Sequence, residues 1–425
     1  MVQKNFVCKG DICYSKDMKT LETCKDGYLV CENGVSAGVF AELPEKYQDF
    51  PLLDYTGKLI LPGFTDLHVH APQYRFRALG MDLELLEWLD THTFPQEAKY
   101  VDTDFARKNY ARFVEEMRKG PNTRGCIFGT IHRQSTEVLM ELLEEAGLCA
   151  MVGKVNMDRH SPDILRETTE ESAEETIQWL ADVADKFPHV KPILTPRFLP
   201  SCTDELLEKL GDIQKQHHLP VQSHLSENRG EVAWVQELFP KSKHYGDAYD
   251  SFGLFGGENC PTIMAHCVLS SDDEIRLMKE RGVFIAHCPE SNTNLASGIA
   301  PARRYLTEGI PMGLGSDIAG GTRCSIFFAM AEAIRVSKLR WRLVDESLAP
   351  LTIPEVFYLA TLGGGAFFGK VGSFAEGYEF DAFVLDDSRY DNPGEYDIAQ
   401  RLERVIYLTE DSEVLHKFVA GRQLF

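Results

Sequence analysis

The sequence predicts an α/β protein: a (β/α)₈ barrel of the TIM type, with a small β-sandwich unit formed by the N- and C-terminal segments. Three observations lead there. Apolar runs alternate with longer segments in which apolar residues recur every three or four positions, and eight such runs can be counted. The first ~60 and last ~50 residues instead share a short-strand texture, so the two ends are expected to pack together beside the barrel. The boundaries that follow are 1–61 for the first part of the β unit, 62–370 for the barrel and 371–425 for the second part of the β unit.

In chain order, the leading segment reads as "DGYLV", "ENGVSAGVF" and "YTGKLI", punctuated by Gly and Asn. The barrel runs are "LILPGFTDLHVH" (59–70), "GCIFGTIH" (125–132), "LCAMVGKVNM" (148–157), "VKPILTPRF" (190–198), "LPVQSHLSE" (219–227), "PTIMAHC" (261–267), "GVFIAHCPESN" (282–292) and "IPMGLGSD" (310–317). Between them, "TEVLMELLEEAG", "EESAEETIQWLADVADKF", "TDELLEKLGDIQKQH" and "SDDEIRLMKERG" have helical spacing, with Thr203 and Asp204, or Ser271 and Asp272, as candidate caps. A helical stretch, "IPEVFYLATLGGGAFFG", closes the barrel. Strand-like texture then returns in "GYEFDAFVLDD" and "RVIYLTEDSEVLHKFVAGRQLF".

Composition narrows the function. The 425 residues are 44% hydrophobic, ordinary for a folded chain with a large core. Lys and Arg number 44 against 65 Asp and Glu, a formal net charge of −21, and no basic patch reverses that field, so nucleic acid is not an expected partner. No run approaches the ~18 apolar residues of a membrane span, and the amino terminus has no signal core. Eleven cysteines, an odd number without dense even spacing, indicate reduced thiols and a cytoplasmic protein. Cys8, Cys13, Cys24 and Cys31 lack paired C-x-x-C spacing and read as small strand hydrophobes rather than a zinc cluster.

Catalytic side chains of such barrels gather at the carboxyl ends of the strands. Of thirteen histidines, six lie at or just past the end of an apolar run: His68, His70, His132, His224, His266 and His287. Asp317 closes the eighth run. Residues i and i+2 of a strand share a face, so His68 and His70 can reach one metal ion while Val69 faces the outer helices. A third His and one carboxylate would complete a shell suited to Zn²⁺, and His224 and Asp317 are the candidates. An H-x-H alone is a weak signal, since paired histidines can be ordinary core residues. The combination across strands one, five, six and eight is far more specific.

This arrangement, with the tail segment "GSFAEGYEFD" (372–381), resembles the amidohydrolase superfamily over nearly the whole chain. Two-metal members carry a bridging lysine at the end of strand four, where this chain has Arg197; Lys154 and Lys191 are misplaced for that role. The resemblance therefore implies one metal ion per chain, zinc or iron, held by His68, His70, His224 and Asp317, with His266 hydrogen-bonded to the attacking water. Eight segments, among them "HVHAPQ", "KPILTPRF", "QSHLSEN" and "GLGSDIAGG", are similar, in the same order, to those of single-metal deaminases of purine bases. What this implies is hydrolysis of guanine to xanthine and ammonia by a homodimer.

The residues supply a physical reading beside that resemblance. Glu227, three positions after His224, can carry a proton from water to a ring nitrogen, with Asp317 and His266 accepting and orienting the water's proton. A glutamate favoured by a helix amino terminus is the plainer reading, and the two are compatible. Arg197, donor-only, would reward the carbonyl of guanine over an amino group; an ordinary ion pair is its alternative. Gln73 offers a donor and an acceptor to the purine edge, Phe198 could pack on the ring, and His224, Glu227 and Asp317 would also meet substrate. Roles for His132, His287, Glu290 and Asn292 stay open. "LLEWLDTHTFP", with Trp88 and Phe94, reads as a helix and loop over the site. Rival functions are a related single-zinc hydrolase of another aminated heterocycle, such as another purine, a pterin, cytosine or a triazine, and a non-catalytic barrel scaffold. The smaller zinc deaminases are excluded by the absence of H-x-E with P-C-x-x-C.

Overall fold

The computed structural model describes residues 4–390, 396–409 and 411–425. Residues 1–3 of the amino-terminal segment, and 391–395 and 410 of the tail, lie outside these described residues.

The eight apolar runs are strands. Phe64–His70, Asn122–Phe128, Cys149–Gly153 and Val190–Pro192 pair in parallel in that order. Val221–Leu225, Thr262–His266, Phe284–His287 and Met312–Leu314 form a second parallel set. Short continuations at Val155–Asn156 and Thr195–Pro196 pair with each other, and Leu194 bridges to Val221, joining the two sets on one side. On the other side Asp317 N donates to His68 O (2.8 Å) and His70 N to Ile318 O (3.1 Å), so the eighth strand meets the first and the ring closes. The carboxyl ends all emerge at one rim, which is where the alternation of strand and helix said the polar residues would collect.

Helix starts follow local chemistry. Thr203 and Ser271 are the caps of Asp204–His217 and Asp272–Arg281, their hydroxyls accepting from Leu206 N and Glu274 N. Gly282 ends the latter helix at a φ of 66°, a left-handed conformation that costs glycine little. Leu85–Trp88, Leu89–Thr93 and Phe94–Glu97 run as one helical stretch.

The two chain ends join as expected, and the described strands are hydrogen-bonded as one seven-stranded sheet rather than as two separately paired sheets. Leu52–Pro62 sits at its centre, parallel to Phe6–Ser15 on one side and antiparallel to Ala382–Leu385 on the other, which makes the sheet continuous. Alternation sorts its faces: Ile60, Ala382 and Val384 pack with Phe6, Phe374, Phe380 and Phe418, whereas Leu59, Leu61, Phe383 and Leu385 join the core shared with the barrel. One tail segment departs from its strand-like texture. "RVIYL" ends a helix, Ile398–Leu408, because Asp397 and Gln400 form a capping box and Ile398, Leu402, Val405 and Ile406 line one buried face.

Polar contacts fasten sheet to barrel. Arg124 of the second barrel strand donates through Nε to Asp381 Oδ2 (2.7 Å) and through Nη2 to Glu379 Oε2 (2.6 Å). Lys417, fully buried, donates to the carbonyls of Met117 (2.7 Å) and Asn122. No described helix is long and apolar enough to cross a membrane.

Candidate active site

The first strand does more than alternate. Asp66 pairs with Gly125 and Val69 with Ile127, so an extra residue bulges between them. The bulge sends Leu67 into the barrel floor with Cys126, Ile263, Ala265, Ala286 and Cys288, while Val69 joins the outer core as expected. His68 and His70 then converge above that floor, their Nε2 atoms 3.2 Å apart. Gly315 makes room for this: a Cβ there would lie 2.9 Å from that of His68.

Two further imidazoles arrive from strands five and six. His224 Nε2 is 3.3 Å from His70 Nε2, and its Nδ1 bonds to Arg197 O at 2.6 Å. That carbonyl can only accept, so Nδ1 carries the proton and Nε2 turns a lone pair inward. His266 follows Ala265, whose side chain is in the barrel floor; a left-handed φ of 72° breaks the strand alternation and lets both face inward. Its Nδ1 bonds to Asn292 Oδ1 (2.8 Å), again leaving Nε2 toward the site. Asp317 also has a left-handed φ, of 45°. Its Oδ1 lies 3.2 Å from His68 Nε2 and 3.4 Å from His70 Nε2, and its Oδ2 lies 3.8 Å from His266 Nε2.

These separations test the expected metal site. Ligand atoms about 2.0–2.1 Å from a tetrahedral ion stand about 3.3–3.4 Å from one another. Four of the six spacings among His68, His70, His224 and Asp317 run from 3.2 to 3.4 Å, and His68 groups both with His70 and Asp317 and with His224 and His266. With the ring lone pairs turned inward, three imidazole nitrogens and a carboxylate oxygen this close together would repel unless a cation lay among them, so the donor set fits the ion. Burial holds the imidazoles of His68, His70 and His224 below their ordinary pKa, which keeps them in the neutral, ligating form. Burial alone would raise Asp317, but positive charge among the surrounding His68, His266 and His70 rings, with the His68 hydrogen bond, holds it well below the usual carboxylate range; a cation among neutral rings would act in the same direction.

Glu227 has the opposite environment. Burial pushes its carboxyl well above the usual range, and the Glu231 and Asp317 carboxylates push it further. Its Oε2 is 3.4 Å from His266 Nε2, and its Oε1 accepts from Ser297 Oγ at 3.3 Å. Glu231, the third residue of the next helix, fixes the backbone by accepting from Glu227 N (3.0 Å) and Asn228 N (3.2 Å).

A cavity opens over this cluster, walled by Gln73, Leu85, Trp88, Arg197, Phe198 and Leu295. Trp88 thus lies over the site as the sequence suggests, and Phe94 sits under the Arg197 guanidinium, 5.2 Å from ring centre to Cζ. Arg197 satisfies both of its readings at once, lining the cavity while forming a two-armed ion pair with Glu97 (2.5 and 3.1 Å). Gln73 is more committed than expected: its Nε2 donates to Glu97 (2.8 Å) and its Oε1 accepts from Ala319 N (2.9 Å). Neither His132 nor His287 lines the cavity, and burial lowers each to about 4. Asn292 bonds His266, and Glu290 bonds Thr322. Sequence reasoning missed Glu97, Ser297 and Glu231; only Glu231 left a trace, as the glutamate of an N-x-x-E capping pattern.

With this His and Asp cluster at the carboxyl rim of a parallel-stranded ring, the chain belongs to the amidohydrolase family, whose profile matches residues 59–424. Within that family the chain is similar to guanine deaminases. The Dictyostelium discoideum enzyme is 38% identical over 96% of this chain and 89% of its own length, and the Mus musculus enzyme is 41% identical over 86% and 83%. A crystal structure of guanine deaminase from C. acetobutylicum, with guanine bound in its active site, superposes with a TM-score of 0.96 and 46% identity over 99% of this chain and 100% of that one.

Proposed function

We infer that this protein is a hydrolytic deaminase that converts guanine to xanthine and ammonia. The observation that carries the reading is that Gln73 and Arg197, both bearing N–H donors, line the same cavity as Glu227, His70, His224 and Asp317. In the reaction, water oxygen bonds to C2 of the purine and the bond from C2 to the exocyclic nitrogen breaks. His68, His70, His224 and Asp317 would hold one zinc ion, and zinc bound there acidifies the attacking water. His266, tied to Asn292 through Nδ1, directs Nε2 at that water. Asp317, held ionised by the imidazoles around it, takes up its proton. Glu227, kept protonated by burial and neighbouring carboxylates, delivers a proton to N3 and so prepares C2 for attack; the departing nitrogen leaves with protons returned from the same groups. Phe198, on the cavity wall, packs against the purine ring, and His224 and Asp317 border it. The barrel unit, 62–370, is the catalytic part of a homodimer in this reading.

Two measurements test it. Ammonia release is compared across guanine, adenine, cytosine and a triazine, and guanine is expected to be turned over far faster than the others. Glu227→Gln, which keeps the shape but lacks a transferable proton, is expected to lose roughly 10²–10⁴-fold in kcat with zinc content unchanged. A variant that keeps most of its turnover removes Glu227 from this role.

A further inference from the structure

We infer that Glu97 is the positioning residue that fixes Gln73 and Arg197 as hydrogen-bond donors of the substrate wall and so selects a carbonyl at C6; this rests on the purine reading above. Glu97 is 3% exposed and closes the helical stretch over the cavity. One of its oxygens accepts from both Gln73 Nε2 (2.8 Å) and Arg197 Nη2 (3.1 Å), and the other from Arg197 Nη1 (2.5 Å). A single carboxylate therefore ties the turn after strand one to the end of strand four.

The chemistry at Gln73 follows from what lies on either side of its amide. Turned the other way, its oxygen would face the Glu97 carboxylate and its NH₂ would face the Ala319 N–H, two repulsive contacts. Only one orientation is compatible with both neighbours. In it the amide oxygen accepts from Ala319 N, and the amide NH₂ keeps a second N–H beyond the one given to Glu97, so Gln73, which lines the cavity, has a donor to offer there. Arg197 has no acceptor at all, and the N–H groups not on Glu97 add further donors. Such a wall bonds a carbonyl or an unprotonated ring nitrogen. A purine amino group at C6 meets N–H groups instead, and buried donors are left unpaired. Without the Glu97 charge, Gln73 is free to turn its oxygen inward and that discrimination goes.

The test uses guanine and 2,6-diaminopurine, which share the amino group at C2 and differ at C6. Ammonia release is measured with wild type, Glu97→Gln and Glu97→Asp, with bound metal quantified in each. Glu97→Gln is expected to lower the ratio of kcat/KM values, guanine over 2,6-diaminopurine, by roughly tenfold or more, chiefly through a higher KM for guanine. Glu97→Asp, which keeps the charge but falls one methylene short, is expected to lie between. A ratio within about twofold of wild type in Glu97→Gln, or in Glu97→Asp should the first variant not fold, overturns the inference. Wild type releasing no ammonia from guanine is a separate result that sinks the proposed function itself.

Discussion

His266 keeps its orientation because its Nδ1–H donates a hydrogen bond to Asn292 Oδ1 at 2.8 Å. Groups standing behind a ligand or a water-orienting ring commonly change activity 10- to 100-fold when removed, by letting the ring rotate or change tautomer. Asn292→Ala is therefore expected to lower kcat by about tenfold or more with KM and bound metal little changed, as steady-state kinetics beside metal analysis can show; a kcat equal to wild type removes Asn292 from that part. At this scale much of the site could be read from the chain. His68, His70, His224, His266 and Asp317 each end an apolar run, and strand direction alone brings such ends to one rim. Glu97 could not be read, because it sits inside a helical stretch 24 residues from Gln73 and 100 from Arg197. Nothing in its local spacing distinguishes it from a solvated glutamate.

Elements were legible where periodicity was strong. The four long helical segments between barrel runs are helices, and both anticipated caps are hydroxyls bonded to the backbone three residues on. Thr203→Ala removes the acceptor for Leu206 N and is expected to cost about 1 kcal/mol, seen as a lower urea midpoint with kcat unaltered. Two elements show where texture misleads. Phe6–Ser15 interleaves Lys, Gly and Asp with apolar residues, so its bounds are blurred in the sequence although Cys8 and Cys13 read as strand residues; nine of its positions pair with Leu21–Glu32. "RVIYL" looks like a strand for its β-branched and aromatic residues, while the helix it completes is announced upstream by the Asp397 and Gln400 capping pair. The bulge at Leu67 and His68 is a third case: its register is set by the neighbouring strand, so the histidine strand alone could not reveal it.

Across the whole molecule, the contact between barrel and sheet depends on a few buried charges. Asp381 is fully buried, holds Arg124 Nε, and also accepts from Ala420 N at 2.7 Å. Asp381→Ala leaves that guanidinium with only the half-exposed Glu379 and is expected to destabilise the protein by about 3–5 kcal/mol, measurable as a fall in Tm. Unchanged stability would mean that the sheet docks by its apolar face alone. The sheet's wiring has a consequence for synthesis. Leu52–Pro62 emerges from the ribosome with one flank already paired and the other bare, and its missing neighbour, Ala382–Leu385, is translated only after the entire barrel. At ~5–20 residues per second the nascent chain carries that sticky margin for tens of seconds, so it is in this interval that misassociation with other nascent chains has its opening.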